Sequence, residues 1–552
     1  MAIEQDRGSA LVHWLVVGRF GLPEGKTLTL TRADFDEALQ RAGIRVDATV
    51  QDRIGTAGTR TIPIAVDSLK SLSLKSVIAA LPELSGLLAK AEQVAKLKTP
   101  SVEDVAAIVG EGRLLEQLRS MITPPEDKPA EGEITGSVDK IFEKAEAAQP
   151  KTAKSAIDMF VRSTATSSRK KAGAPSARQL RDAIEEAAYG LASDVLRSEG
   201  VTAVESAWRG LRMLLTECPK DASMQVIVVE ADPADVVEVL RDRERADGME
   251  EPDCIFVPAE IGDLPRLAEL ADLAEQELIP IVVGVPASLF GTDDAQQVPA
   301  LFEKLEGARN TDLPEWTTAW DELRMREGTR WLCTVLNRVV LNAEGAGSAK
   351  RTVLGSGVWA VAAMLAQSYR TASSFAKILG KPGAIRAPAT HTLEAGVYAD
   401  TATPTEAFYA IQPAESLARQ GILALGSARN SDTIVLTKAP MVRGAKDAVP
   451  LSAQILTGRV VRFASWVRPQ LPEGCDSDTA NDLYMSAASV FLFPGQTEAA
   501  HVRASVTNIE GEAHVVVRAV ANPQVAGVPF EIAFPLHLHW SVPAPETPLG
   551  QG

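Results

Sequence analysis

The stretch MQVIVVEA, residues 224–231, is a short apolar run of the kind found in strands that are covered on both faces. Two similar runs follow it, DCIFVPA at 253–259 and IPIVVGVPASLF at 279–290, and helical stretches lie between them. Alternation of buried strands with helices predicts a largely parallel sheet flanked by helices. The sequence therefore predicts an α/β fold, with mixed α+β character where strands of other patterns occur.

Two amphipathic helices are predicted before the first of these strands. The first carries apolar residues at helical spacing from Leu180 to Val195. The second lies in VESAWRGLRMLL, residues 204–215, where Val204, Trp208, Leu211 and Leu215 recur at i, i+4, i+7 and i+11. Trp208 and Leu211 are therefore predicted to point inward and Arg209 and Arg212 outward, which makes Trp208 a structural residue.

The C-terminal region contains strands of a different pattern. HVRASVT (501–507), HVVVRAV (514–520) and VPFEIAFPLHLHW (528–540) alternate between two faces, as in strands with one buried face. The apolar positions of the last strand are Phe530, Ile532, Phe534, Leu536, Leu538 and Trp540. His537 and His539 fall between them, so both are predicted on the opposite face.

Composition changes along the chain predict three segments. Residues 1–122 mix strand-like runs with an apolar helical pattern on either side of Pro82. Residues 123–177 are rich in Pro, Gly, Ser and charge, which is typical of an exposed linker, and include one short helical stretch at Val138–Ala148. Residues 178–552 form the α/β region, and the predicted C-terminal hairpin strands occupy about 501–540.

Net charge and cysteine content disfavour several classes of partner and an oxidising compartment. The net charge of −16 disfavours nucleic acid or an anionic membrane, because both select a basic surface. The four cysteines lie far apart, which disfavours a disulfide framework and favours a reducing compartment. Neither a credible signal peptide nor an uncharged membrane-length stretch is present. We therefore expect a cytoplasmic protein without direct membrane insertion.

The inventory of catalytic and cofactor motifs is thin. The chain has no phosphate-binding G-x-x-x-x-G-K-[ST] loop, no H-E-x-x-H and no G-x-S-x-G. His537 and His539 are two ligands, whereas a zinc site needs three or four. His501 and His514 lie on neighbouring predicted strands, but no cysteine or paired acid completes a shell. We expect no catalytic residues, no cofactor and no metal.

The stretch VESAWRGLRMLL closely resembles the signature of the large subunit of the type VI secretion contractile sheath, the TssC/VipB family. The residues that carry this resemblance are Glu205, Trp208, Arg209, Leu211 and Arg212. Further along, residues 313–341, 403–425, 452–468 and 514–540 are similar to later stretches of that family, in the same order. One departure lies at Leu336–Asn337–Arg338, where the family has a proline in the middle position.

The first 120 residues resemble a different family, the small sheath subunit (TssB/VipA). The similar stretches are HWLVVGRFG (13–21), LTRADFDEALQRAGIRVDATVQDR (30–53) and IPIAVDSLKSLSLKSVIAALPELSGLLA (62–89). The two resemblances together imply a TssB–TssC fusion with two sheath-type domains in one chain.

The resemblance implies a structural protein of a contractile injection system, similar to a phage tail sheath, rather than an enzyme. Its protomers would form a helical homopolymer around an inner tube, then contract and drive the tube through a target membrane. The implied partners are other copies of this chain, the inner-tube protein, baseplate components and an AAA+ recycling ATPase. Two alternatives from other classes remain open: a non-polymerising cytosolic α/β scaffold, and an enzyme with an unrecognised site.

The strand at 528–540 has one apolar face close to a chain end, and a free strand edge there can pair with another chain. Val12, Trp14 and Val16 alternate near the other end and offer a complement. The sheath family is similar in joining the terminal strands of adjacent protomers in a shared sheet. We therefore predict that both terminal strands link neighbouring copies, with the Phe530–Trp540 face buried and His537 and His539 free of metal.

Overall fold

The computed structural model describes residues 12–122 and 176–540, except positions 24, 57, 222, 247, 307–312, 446–447 and 497. Most of the predicted linker at 123–177, including the helical stretch Val138–Ala148, lies outside the described residues. No described helix is long and apolar enough to cross a membrane.

The strands, in chain order, are β1 Val12–Gly18, β2 Thr27–Leu30, β3 Ile44–Gln51, β4 Thr59–Val66, β5 Met224–Glu230, β6 Cys254–Glu260, β7 Ile281–Gly284, β8 Leu332–Leu336, β9 Val339–Ala346, β10 Ala349–Gly355, β11 Ile385–Arg386, β12 His391–Thr392, β13 Ala402–Thr403, β14 Ile422–Ala424, β15 Gly426–Ser427, β16 Thr433–Val435, β17 Ala500–Ile509, β18 Glu512–Ala521 and β19 Phe530–His537.

The α-helices in the described ranges are α1 Phe35–Ala42, α2 Leu74–Ala80, α3 Pro82–Ala95, α4 Val102–Val109, α5 Arg113–Ile122, α6 Ala177–Arg197, α7 Glu199–Glu217, α8 Val236–Asp242, α9 Leu264–Glu277, α10 Val298–Glu306, α11 Glu315–Met325, α12 Val358–Ala372, α13 Gly380–Gly383, α14 Ile411–Arg419, α15 Leu451–Val467, α16 Ser477–Phe491 and α17 Pro523–Ala526.

The largest sheet has seven strands in the order β14-β8-β7-β6-β1-β5-β2. Every neighbouring pair is parallel except β2 and β5, which are antiparallel. Helices cover both faces, and the two faces carry separate hydrophobic cores. The predicted α/β fold with a largely parallel, mixed sheet is confirmed.

Strand β1 comes from the N-terminal part, yet it lies inside the sheet formed by the C-terminal part. It pairs with β5 along Val12–Gly18 and with β6 at Trp14–Val16, so both of its edges are hydrogen-bonded. All seven of its residues are buried. A strand covered on both faces and paired on both edges needs an apolar residue at nearly every position, and β1 has this composition.

The rest of the N-terminal part packs around the two long helices that follow the linker. The antiparallel pair β3–β4 contacts α6 and α7 through β3, and α3 packs along α6. Helices α2 and α3 are separated at Leu81, because Pro82 can begin a helix but cannot continue one. A capping box between Ser176 and Gln179 starts α6 where the chain enters the C-terminal part.

The C-terminal strands form a separate antiparallel sheet in the order β17-β18-β19. Its inner face packs with α15 and α16 in a third hydrophobic core. In β19 the predicted apolar positions face this core, while Glu531, Ala533, Pro535 and His537 are exposed. The opposite face of the sheet is turned away from the core.

Candidate functional site

Helix α7, which carries the VESAWRGLRMLL stretch, forms the joint between the N-terminal and C-terminal parts. Trp208 is fully buried, and its indole Nε1 donates a hydrogen bond to the Phe20 carbonyl at 2.9 Å. Its ring also contacts the edges of Phe20 and Phe35, with centroids 6.0 and 5.8 Å away. The predicted inward position of Trp208 is confirmed, and each of these partners belongs to the N-terminal part.

The two arginines of the stretch also bind the N-terminal part. Arg212 forms an ion pair with Asp36 at 3.0 Å, and its guanidinium lies 4.8 Å from the Phe35 ring centroid. Arg209 donates to the Leu69 carbonyl at 3.3 Å and to Glu205 at 2.7 Å. Arg212 faces outward as predicted. The prediction for Arg209 is wrong, because the buried carboxylate of Glu205 one helical turn earlier draws its side chain inward.

Glu205 is the centre of a buried ion cluster that sequence analysis did not find. Its carboxylate accepts two hydrogen bonds from Arg351 of β10, and both side chains are almost completely buried. Arg351 also pairs with Glu344 of β9. Burial alone would lower the pKa of Arg351, but its hydrogen bonds to Glu205 and Glu344 outweigh burial and raise it.

This ion cluster holds a loop of the N-terminal part by its backbone. Arg351 Nη2 donates to the Leu72 carbonyl at 2.9 Å, and Glu344 accepts a hydrogen bond from the Leu74 amide at 3.2 Å. The three charges pair with one another within the C-terminal part, and the N-terminal loop adds backbone hydrogen bonds to this cluster from Leu72 and Leu74. Loss of one partner from such a pair leaves an uncompensated buried charge, at a cost of about 3–5 kcal/mol.

The turn after β1 is bound by a carboxylate from the neighbouring strand. Glu230, the last residue of β5, accepts backbone hydrogen bonds from Phe20, Gly21 and Leu22 at 2.8, 3.3 and 3.0 Å. Gly21 has φ of +75°, and an added Cβ would lie 2.9 Å from Ile44, so the turn requires glycine. This explains the Gly-Arg-Phe-Gly turn at residues 18–21.

The start of β1 is held by a second buried charge cluster. Asp253, just before β6, binds Arg459 at 2.6 Å and Arg462 at 2.7 Å, both from α15. The Asp253 amide donates to the His13 carbonyl at 2.7 Å. His13 is itself buried, and its burial lowers the pKa of the imidazole despite the nearby carboxylates of Asp253 and Glu250.

The predicted linking role of Val12, Trp14 and Val16 conflicts with this geometry. All three side chains are fully buried inside this chain's own sheet, and β5 and β6 occupy both edges of the strand. An incoming strand from another copy has no free edge to pair with here. We therefore correct the prediction: β1 joins the two parts of one chain, and a link between copies has to use other residues.

Strand β19 pairs with β18 along one edge, and no strand of the described residues pairs with its other edge. Leu538 N donates to Ala513 O at 2.8 Å, and the β18–β19 register runs without a shift back to Phe530. In an antiparallel strand alternate residues turn their N–H groups to opposite edges. Leu536, Phe534 and Ile532 therefore bond to β18, while Glu531, Ala533 and His537 turn their N–H groups outward. Pro535 is at an outward position and has no N–H group.

The turn at Leu336–Asn337–Arg338 is built without the proline that the resembled family has there. Asn337 has φ of +83°, which proline cannot adopt. Its amide donates to the carbonyls of Ala407 and Leu425 and accepts from the Ala407 N–H, all within 2.9 Å. Arg338 pairs with Glu406 at 2.8 Å, so this turn contacts the stretch at 403–425.

Comparisons with known proteins bear first on the N-terminal part. Residues 19–121 match the family model described as "Type VI secretion system, VipA, VC_A0107 or Hcp2". The predicted resemblance of this part to the small sheath subunit is confirmed. No curated protein matches the chain.

Two solved structures are similar over a larger share of the chain. One is the cryo-EM structure of the anti-feeding prophage (AFP) baseplate, 6-fold symmetrised, at 12% identity and a TM-score of 0.29 over 63% of this chain and 80% of that one. The other is the AFP helical sheath in the contracted state, at 12% identity and a TM-score of 0.30 over 63% of this chain and 81% of that one. At these scores they imply no equivalence of individual elements.

Proposed function

We propose that this chain is a complete protomer of a contractile sheath, with the small-subunit and large-subunit parts fused. The match of residues 19–121 to the VipA family carries the proposal. The C-terminal part contributes the residues that resemble the large subunit. In this role the protein polymerises around an inner tube and contracts to drive it through a target membrane, with baseplate components and a recycling ATPase as further partners.

The joint supports a protomer that moves as one unit. Strand β1 lies in the middle of the C-terminal sheet, and the ion cluster around Glu205 and Arg351 holds the loop at 69–74. Separating the two parts would break the ladders of β1 to β5 and β6 and the backbone hydrogen bonds that Leu72 and Leu74 make with the ion cluster. Contraction would therefore rearrange contacts between copies and leave the joint intact, because packed interfaces switch between discrete arrangements more readily than cores deform.

The link between copies is assigned to the outward edge of β19. The N–H and C=O groups on this edge, which pair with no strand in the part of the chain that the structure describes, can accept a further strand from a second copy. Residues 1–11 directly precede β1 and contain no proline, whereas residues 541–552 contain Pro543, Pro545 and Pro548. Proline removes a ladder donor, so the N-terminal segment is the better candidate for the added strand. Pro535 limits this pairing to the part of the edge near Glu531 and Ala533.

Substitution at Ala533 tests the link. Ala533→Pro removes an outward donor without touching the ladder to β18, while Ala533→Ser keeps the donor and serves as the matched control. Proline at Ile532 would instead break the protomer's own ladder, since that N–H faces β18. Polymer formation is measured by sedimentation and negative-stain microscopy of the full-length chain, and folding by circular dichroism.

We expect both variants to fold, and only Ala533→Ser and the wild type to form tubes. Removal of residues 2–11, which leaves β1 intact, is expected to have the same effect as Ala533→Pro. Normal tubes from Ala533→Pro would show that the edge of β19 is not the link. Discrete particles from the wild type under every condition would refute the sheath assignment itself and favour a non-polymerising scaffold.

A further inference from the structure

The outer face of the C-terminal sheet is unusually rich in histidine. The chain contains six histidines, and four of them, His501, His514, His537 and His539, belong to this sheet or directly follow β19. His501, His537 and His539 are exposed, and His514 is half-buried. A role in packing does not account for this concentration, because the inner face of the sheet forms the core.

Three of the four histidines form one cluster at the end of β19. His514 and His537 are directly opposite each other in the β18–β19 register, with ring centroids 5.4 Å apart. His539 follows on the same face, and its ring centroid is 5.6 Å from that of His537. Imidazoles that share one tetrahedral Zn²⁺ at a Zn–N distance of about 2.0–2.1 Å have ring centroids about 5 Å apart. The observed spacings are close to this value.

Glu512 adds a carboxylate to the cluster and orients two of its rings. Its Oε2 lies 3.2 Å from His537 Nε2. Its backbone carbonyl lies 3.0 Å from His514 Nδ1, which as an N–H donor would leave the Nε2 lone pair of His514 directed away from the backbone. A backbone carbonyl on one ring nitrogen is the usual means by which a protein prepares the other nitrogen to bind a metal.

We propose that Glu512, His514, His537 and His539 form a surface site for a divalent metal of the Zn²⁺ class. Imidazole and carboxylate ligands suit Zn²⁺, Ni²⁺ and Cu²⁺, whereas Mg²⁺ prefers an all-oxygen shell. The site is not preformed: no three such side chains in the described residues are already arranged to hold an ion. The proposal requires side-chain rotations that turn the ligand atoms toward one point, from a backbone register that already places His514 opposite His537.

The structure supplies the further ligands that the sequence alone did not place beside His537 and His539. His537 and His539 alone give two ligands, and His514 is separated from them by more than twenty residues in sequence. Pairing of β18 with β19 adds a third imidazole and a carboxylate. A bound ion would cross-link these two strands next to the outward edge of β19. This proposal departs from the expectation, drawn from the sequence, that these histidines bind no metal, and it does not depend on the proposed sheath function.

Isothermal titration calorimetry of the untagged full-length protein with ZnCl₂ at neutral pH tests the site. We expect one Zn²⁺ bound per chain, no competition by MgCl₂, and affinity reduced about tenfold or more by His514→Gln or His537→Gln. His501→Gln is the matched control, because His501 lies on the same face opposite Val520, at the far end of the strands. Its affinity should equal that of the wild type.

A second readout separates a built site from scattered surface binding. Co²⁺ held tetrahedrally by three imidazoles and a carboxylate gives d–d absorption bands far more intense than those of octahedral Co²⁺ on scattered surface histidines, and His537→Gln should abolish this intensity. The side chain of His537 is 45% exposed, so the substitution should leave the circular dichroism spectrum unchanged. Absence of Zn²⁺ binding, or equal losses in His501→Gln and His537→Gln, would overturn the proposal.

Discussion

Replacing Trp208 by alanine should destabilise the whole chain, because this side chain fixes the joint between its two parts. The indole is fully buried between Phe20 and Phe35, and its Nε1 is hydrogen-bonded to the Phe20 carbonyl. Truncation of a buried tryptophan to alanine costs about 3–5 kcal/mol through lost contacts and the cavity. The Phe20 carbonyl also loses its donor, which adds about 1–3 kcal/mol if no water replaces it. The expected total is about 4–8 kcal/mol.

Trp208→Phe provides the matched control. Phenylalanine keeps most of the ring contacts and loses the hydrogen bond, so a loss of only about 1–3 kcal/mol is expected. Urea denaturation followed by far-UV circular dichroism measures both variants against the wild type. A Trp208→Ala variant within about 1 kcal/mol of the wild type, well below the usual range for such truncations, would refute the assigned role. Equal losses in the two variants would show that the hydrogen bond, and not the packing, is decisive.

Three further substitutions test other parts of the account, each by the shift of the urea midpoint. Arg351→Met removes the buried cation that Glu205 and Glu344 share and is expected to cost about 3–5 kcal/mol, whereas the exposed-pair variant Arg212→Met should cost about 1 kcal/mol or less. Burial lowers the pKa of His13 below its ordinary value of 6.5, so the unfolded chain binds this proton more readily. The contribution of neutral His13 to stability is therefore present above pH 6.5 and is lost as the pH falls below it, and His13→Gln should flatten the pH dependence between pH 7.5 and 5.5. Asn337→Pro should destabilise strongly, because φ of +83° excludes proline, while Asn337→Gly keeps the backbone conformation, loses only the side-chain bonds and should cost less.

The parallel sheet and most helices were predictable because their signals are local. The runs at 224–231 and 253–259 became β5 and β6, and the leucine pattern around Pro82 became α2 and α3. The alternation in β19 also fixed which face is buried. In each case the spacing of apolar residues over a few turns or a single strand contained the information.

The position of β1 was not predictable from alternation, although a signal was present. Val12, Trp14 and Val16 were interpreted as one face of an exposed terminal strand, but the residues between them are His13, Leu15 and Val17, two of which are apolar. A nearly continuous apolar run indicates a strand buried on both faces. Its pairing with β5 spans about 210 residues of sequence, and no local pattern encodes such a contact.

The charged parts of the joint could not be predicted for a related reason. Arg209 was expected to face solvent because it lies off the apolar stripe of α7. Its inward orientation depends on Glu205, and Glu205 in turn depends on Arg351, which is 146 residues away. The same holds for the metal-site proposal, where register between β18 and β19 places His514 opposite His537. Polar clusters assembled from distant segments require the fold to be known.

The central claim, that one chain is a complete sheath protomer, is tested most directly by electron microscopy of the purified full-length protein with no second sheath protein added. The account predicts helical tubes whose repeating unit contains one copy of this chain, with β1 inside the sheet of its own copy. Tubes that form only after a separate small-subunit protein is added, or discrete particles at every concentration, would contradict it.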